Sequence, residues 1–262
     1  MILTRRVSLN NANLDKLDDR IVITAIEEAD GKDTISATAA ARGFGQRITS
    51  RRRDTLDVTV RFKMMIRKDD MIARAELLEK VNAWAAPGGW LKVRHRPERR
   101  LMVTLAQAPG AADLWKWTEE YAIVFRAYSV PYWEDLEETT LTGKTIKTGS
   151  LDIQVPGNAP TDMRLSVENM SGVLINWLAL NVGSNKMEYN GLHLEAGQTL
   201  VIDYRETQDI YAVRMRIGSR SVLSLRTQDS ADEFPVNPGL VGVSWGCERA
   251  LRVTASCRGR YL

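Results

Sequence analysis

Few residues in this chain have types and spacings that could do covalent or metal chemistry. It holds two histidines, His95 and His193, and two cysteines, Cys247 and Cys257. His95 stands between Arg94 and Arg96 beside Pro97, with no carboxylate or second imidazole expected in its vicinity, so it reads as an exposed turn histidine. The dipeptide Asn190-Gly191 predicts a two-residue hairpin turn that pairs Tyr189 with Leu192 and Met187 with Leu194. The opposite face of that hairpin then sets His193 across from Glu188, a structural position. A tight turn at Glu248-Arg249 would hold Cys247 and Cys257 beyond disulfide reach, as reduced core residues of a protein made in a cytosol. Ligands this dispersed do not assemble a transition-metal site. The acid pairs Glu137-Glu138 and Asp232-Glu233 fall in expected linkers and turns, where solvated carboxylates are ordinary. No Gly-x-Ser-x-Gly elbow, P-loop, dinucleotide fingerprint or His-Glu-x-x-His occurs. The expectation is a protein that is not an enzyme, with no catalytic, cofactor-binding or metal-binding residues and no cofactor.

What remains is charge and aromatic surface. Residues 34–53 carry Arg42, Arg47, Arg51, Arg52 and Arg53 with no acid until Asp54, in a segment too rich in small residues to anchor a core. Such a stretch predicts a long loop or exposed hairpin. Phe44 alone is at hand to stack a base and no recognition helix follows, so a solvated loop or a contact to an acidic protein surface is the better reading than a nucleic-acid patch. A second basic stretch spans Arg94 to Arg100. From these two, Arg47, Arg51, Arg52, Arg53, Arg96 and Arg99 are the candidate contacts between subunits. The net charge of +3 hides an asymmetry: residues 1–130 carry 23 Lys+Arg against 17 Asp+Glu, and the remainder 13 against 16. A basic half and an acidic half favour packing against charged partners, copies of the chain included. With 44% hydrophobic and 26% charged residues, disordered and collagen-like classes drop out. No run approaches the ~18 apolar residues of a membrane span. The arginines of MILTRR follow the apolar start instead of preceding a long apolar stretch, so no secretory signal is expected.

The elements that position these residues follow from periodicity. Residues 19–28 are rich in β-branched side chains and predict a strand. Between 55 and 66, Leu56, Val58, Val60, Phe62, Met64 and Ile66 alternate with mostly polar residues, a strand with one buried face. Asp69 and Asp70 offer a helix N-cap. Ile72, Ala75, Leu78 and Val81, widened by Leu77 and Trp84, make a core-facing stripe that Pro87-Gly88-Gly89 ends. Residues 90–105 read as a hairpin in which Leu91 and Val93 answer Leu101, Val103 and Leu105. The run YAIVFRAYSVPYWEDLEE, from Tyr121, closes this sheet, breaks at Pro131 and enters acidic sequence. It sets a domain seam at Tyr132 and Trp133, with domains at 1–133 and 134–262. Turn signals then recur at short intervals around strands expected at 151–155, 163–168, 173–180, 198–204, 211–217, 240–245 and 251–257. That spacing predicts an all-β sandwich. Trp177 and Trp245 are the candidate platforms for a sugar ring, although both lie on strands where core packing is the commoner fate.

Taken in order, GFGQRITSRRR before an alternating strand, a helix ending in WAAPGG, a turn through RHRPERR and a strand into FRAYSVPYW resemble the N-terminal domain of the distal tail (Dit) proteins of long-tailed bacteriophages. The pattern covers residues 19–133, and the strand-rich second half suits the family. The resemblance implies an α+β N-terminal domain, a tail-tube-like β-sheet or barrel with one helix and a β-hairpin, followed by an all-β galectin-like sandwich. It implies a structural virion protein of the tail tip, made in the host bacterial cytoplasm. Such a protein forms a homo-oligomeric ring, a hexamer, that joins the tail tube protein to a tail-associated or tail fibre protein, with the tape-measure protein nearby. The genome passes through the lumen, without specific nucleic-acid binding and without a membrane partner. The alternative is a carbohydrate-binding module contacting host cell-wall glycan. Against it, the galectin sugar pattern His-x-Asn-x-Arg is absent, since His193 is followed by Leu194 and Glu195.

Overall fold

The computed structural model of the chain describes residues 6–29, 33–39, 46–67, 69–110, 120–208 and 210–262; for 39 and 46–52 it describes the backbone only. The chain divides into two compact units, Met1–Tyr132 with Thr207–Asp209, and Trp133–Glu206 with Ile210–Leu262.

The first unit contains β1 (Val7–Leu9), β2 (Ala12–Asn13), β3 (Ile21–Glu28), β4 (Asp33–Ala39), β5 (Gln46–Arg53), β6 (Leu56–Met64), α1 (Met71–Ala85), β7 (Gly89–Val93), β8 (Arg99–Gln107) and β9 (Glu120–Ala127). Its sheet runs in the order β2-β1-β7-β8-β9-β6-β3. The alternation read between 55 and 66 is realised on β6: Leu56, Val58, Val60, Phe62 and Met64 are buried and their neighbours are not. The β7–β8 hairpin sets Leu91 opposite Leu101. Asp70 caps α1, its carboxylate accepting from the Ala73 amide at 3.0 Å, as the sequence predicts.

The buried face of α1 differs from the expected stripe. It comprises Leu77, Leu78, Val81, Trp84 and Ala85 together with Arg74, while Ile72 is 75% exposed. The tertiary anchors explain the rotation. Trp84 meets the Phe125 ring edge-on at 5.9 Å and donates from Nε1 to the Ala12 carbonyl at 2.9 Å. Arg74 donates to the Tyr121 hydroxyl, which turns the first helical turn so that Ile72 points outward. At the helix exit Gly88 and Gly89 take positive φ. The Asn10 side chain stitches this corner, donating to the Gly88 carbonyl at 2.8 Å and accepting from the Trp90 amide at 2.9 Å.

The second unit contains β10 (Trp133–Asp135), β11 (Thr139–Thr142), β12 (Ile146–Val155), β13 (Thr161–Asp162), β14 (Arg164–Asn169), β15 (Ile175–Val182), β16 (Asn185–Leu194), β17 (Thr199–Glu206), β18 (Tyr211–Ile217), β19 (Arg220–Ser221), β20 (Pro235–Val236), β21 (Gly239–Cys257) and β22 (Arg260–Tyr261). The main sheet runs β16-β15-β21-β14-β17-β18-β19, with β11 and β12 also on β21. The expected tight turn at Glu248-Arg249 is absent: β21 is a single strand of 19 residues. Its first half pairs with β12 and β15, and its second half with β14 and β11. Cys247 and Cys257 therefore share one strand, and both are buried and free.

The hairpin predicted at Asn190-Gly191 is also absent. The chain turns at Gly183-Ser184, so that Val182 pairs with Asn185 and Leu180 with Met187. Asn190 and Gly191 stay inside β16, at a break in register where Gly191 and His193 take positive φ. His193 is consequently not held across from Glu188. It is exposed, and its carbonyl accepts from Arg220.

Candidate interaction surfaces

Of the long loop or exposed hairpin expected at 34–53, the chain takes the paired form: β4 and β5 make an antiparallel two-stranded ribbon that, among the described residues, joins no other sheet. Its register sets Asp33 opposite Arg53, Thr34 opposite Arg52, Ile35 opposite Arg51 and Thr38 opposite Arg47. Residues 34–38 are exposed in succession, so both faces of β4 meet solvent, and Ile35 is 52% exposed. A two-stranded ribbon of this kind is marginal in water without something to pack on. The side chains of Arg47, Arg51 and Arg52, and residues Arg42 and Phe44, lie outside the described set. Arg53 is described, with its guanidinium 5.5 Å above the Tyr132 ring.

The second basic stretch is tied down within its own unit. Glu28 at the end of β3 accepts from Arg96 Nε at 3.1 Å and from Nη2 at 3.0 Å, and its Oε1 lies 2.5 Å from His95 Nε2. His95 thus does have a carboxylate neighbour, brought from 67 residues away by the fold, a contact that sequence distance hides. Arg100 stands over Trp90, its Cζ 3.6 Å from the ring centroid, a cation–π contact that ties β8 to β7. Arg99 lines a shallow depression with His95, Arg96, Pro97 and Glu98. Among the described residues no group of three or more His, Cys, Asp or Glu could hold a metal ion.

The division between units falls between Tyr132 and Trp133. Trp133 is fully buried at the start of β10 and pairs with Tyr261 of β22. Beside it lies a buried ionic cluster that no local sequence signal discloses. Arg260, 7% exposed, donates from Nε to Glu134 at 3.0 Å and from Nη1 to Asp162 at 3.0 Å. Its guanidinium stands 4.9 Å from the Tyr211 ring centroid, and the Tyr211 hydroxyl donates to the same Asp162 oxygen at 2.6 Å. Tyr211 stacks in turn on Tyr204 at 5.1 Å. Burial drives the Tyr211 phenol far above its ordinary pKa, so it donates and does not ionise.

Trp177 and Trp245 have different environments. Trp245 is 2% exposed, its indole wedged where Gly143 and Gly149 lack side chains. It is a core residue. Trp177 is half-buried on the outer face of β15, and its Nε1 donates to Glu188 Oε1 at 2.8 Å. Lys186 holds the other Glu188 oxygen at 2.6 Å, and together these two contacts press the carboxyl below its ordinary pKa.

A mainly-β first unit with one capped helix and an exposed ribbon, followed by an all-β unit, defines the class of fold. No family model matches the chain and no curated protein matches it. Among solved structures, the chain superposes on the SPP1 Dit (gp 19.1) protein, described as a paradigm of the hub adsorption apparatus in phages infecting Gram-positive hosts. The TM-score is 0.71 over 98% of this chain and 99% of that one, at 11% identity. Two phage P2 baseplate structures in the activated conformation, with Ca and with Sr, match at TM-scores of 0.48 and 0.46. They show 7% and 6% identity and cover 98% and 97% of both chains. The chain has the fold of a phage distal tail protein.

Proposed function

We propose that the chain is a distal tail protein: a structural, non-catalytic hub at the tail tip of a long-tailed phage or related prophage particle. It forms a ring, hexameric by analogy with the family that its sequence resembles. The ring joins the tail tube protein on one side to a tail-associated or tail fibre protein on the other, close to the tape-measure protein, and leaves a lumen for the genome. Heterologous contacts repeated around an axis close such a ring when the rotation fits.

The end-to-end likeness of fold supports this reading, and one observation carries it further. Among the described residues the β4–β5 ribbon belongs to neither larger sheet, and it exposes residues 34–38 in succession, which is how an arm that packs on a neighbouring copy would be built. Arg47, Arg51, Arg52, Arg53, Arg96 and Arg99 are proposed to line contacts between copies or with the tube. The second unit is read as a galectin-like sandwich, an arrangement favoured by the way β21 is shared between two groups of strands.

Light scattering coupled to gel filtration, with negative-stain imaging, tests the reading. A mass near six times 29.4 kDa and ring-shaped particles are expected. A strict monomer at tens of micromolar that no tail partner recruits overturns it.

A further inference from the structure

The main sheet of the second unit has two faces of opposite character. The inner one carries Ile153, Val155, Leu178, Leu180, Val182, Met187, Tyr189, Val243 and Trp245, all in the core. The outer face of β12, β21, β15 and β16 is built from small and polar residues. In register across the strands it reads Thr148, Gly246, Ala179 and Glu188 in one row, and Ser150, Ser244, Asn181 and Lys186 in the next. Asp152 and Gly242 begin a third row. Thr148, Ser150, Asp152, Lys186 and Gly242 are exposed.

One aromatic group lies on this face, and its posture is fixed. Trp177 belongs to β15, yet its Nε1 reaches Glu188 on β16, and its far edge lies beside Gly246 on β21. A Cβ placed on Gly246 would stand 3.6 Å from Trp177 Cη2. The indole therefore lies across the sheet, anchored at its polar edge, above a floor of Gly246 and Ala179. Beside it Asn181 donates to the Ser244 hydroxyl at 3.3 Å, an amide and hydroxyl pair with hydrogen-bonding capacity to spare.

We propose that this face is a carbohydrate site, with Trp177 as the stacking platform and Asn181, Ser244, Ser150 and Asp152 as the hydroxyl-binding groups. Pyranose rings present a C–H face that packs on an indole and a rim of hydroxyls that matches a polar array of this kind. Charge selects the occupant. Within the rows Lys186 is spent on Glu188, and Asp152 is exposed and carries a further carboxylate, which opposes a polyanion such as teichoic acid or nucleic acid. The ligand class is a neutral polysaccharide. The proposal does not depend on ring formation.

The test uses the full chain on a microarray of neutral oligosaccharides, followed by affinity electrophoresis in gels cast with cell-wall polysaccharide stripped of teichoic acid. Retardation in the neutral gel is expected. Trp177→Ala should weaken it about thirtyfold, the loss typical of an aromatic anchor. The double variant Asn181→Ala with Ser244→Ala should weaken binding with the indole intact, and unfolding curves for both variants establish that they fold. A silent array, a Trp177→Ala protein that binds like its parent, or binding that follows teichoic acid in place of the neutral polymer each overturns the proposal.

Discussion

Replacing Arg260 with Met removes the only cation in contact with two buried carboxylates among the described residues. Glu134 and Asp162 each sit 3.0 Å from the guanidinium, with side chains 3% and 10% exposed. Methionine keeps the volume and the apolar contact with Tyr211, so the loss is electrostatic. Breaking a buried pair from one side costs about 3–5 kcal/mol, because the remaining charge stays desolvated. Here two carboxylates are stranded and Asp162 keeps only the Tyr211 hydroxyl, which puts the cost toward the upper end. For a unit of this size that is a drop of roughly 10–20 °C in Tm. Urea melts and calorimetry of Arg260→Met measure it. Adding Glu134→Gln and Asp162→Asn should return a large part of the loss, since neutral amides tolerate the site. The Arg214–Asp203 pair is the internal control. It is equally short at 2.8 Å, but Arg214 is 44% exposed, so Arg214→Gln should cost at most about 1 kcal/mol. If Arg260→Met melts within about 1 kcal/mol of the parent, or the triple variant is no better than the single one, the network is not what holds β22 to β10.

Three further outcomes are expected. Gly149→Ala would place a Cβ 2.5 Å from Trp245 Cζ2 and 2.8 Å from Ile146 Cδ1, an overpacking that should cost about 1–3 kcal/mol and be partly relieved by Trp245→Phe, both read from denaturant midpoints. Burial pushes the Cys257 thiol up to about 11 and Cys247 in the same direction, so neither should react with a disulfide reagent at pH 8 until guanidinium is added. Above the ordinary thiol pKa of 9.0 the unfolded chain binds fewer protons than the folded one, so stability is whole below pH 9 and falls as pH rises toward 11. Exchanging residues 33–53 for a short Gly-Ser turn should leave a folded chain, because Glu28 and Val58 are already paired across β3 and β6. That variant should run as a monomer in gel filtration, and a ring that persists without the ribbon would count against its role as the docking arm.

Where the sequence sufficed, one local rule governed the outcome. On β6 the period of two met no competing signal, and at α1 the Asp70 cap needed only its own first turn. Where it failed, a partner distant in sequence decided. The rotation of α1 away from Ile72 is set by Tyr121 and Phe125, and His95 finds its carboxylate on β3. The Arg260 cluster gathers residues from 134, 162, 211 and 260, and no window of sequence contains it.

The two misplaced turns differ in kind. At 190–191 the buried positions change parity, from Met187 and Tyr189 to Leu192 and Leu194, all fully buried. A two-residue turn produces that switch, but so does one extra residue in a continuing strand, and the fold uses the second device. Pattern alone cannot separate them. At 248–249 the pattern does decide. Val243, Trp245, Cys247, Leu251, Val253, Ala255 and Cys257 are all buried and all odd-numbered, so the core face keeps one parity on both sides of the exposed Glu248-Arg249 pair. A tight hairpin there would have set Trp245 against Arg252 and Val243 against Thr254, burying a cation and a hydroxyl on the core face. Unbroken parity was the available sign of one long strand. Because β21 is continuous, Gly242, Ser244 and Gly246 lie between β12 and β15, and so beside Trp177. The proposed carbohydrate face uses that feature: a hairpin at 248–249 would have laid the second half of β21 along one edge of the first, in the place that β12 or β15 occupies, and so broken the rows that run across β12, β21, β15 and β16.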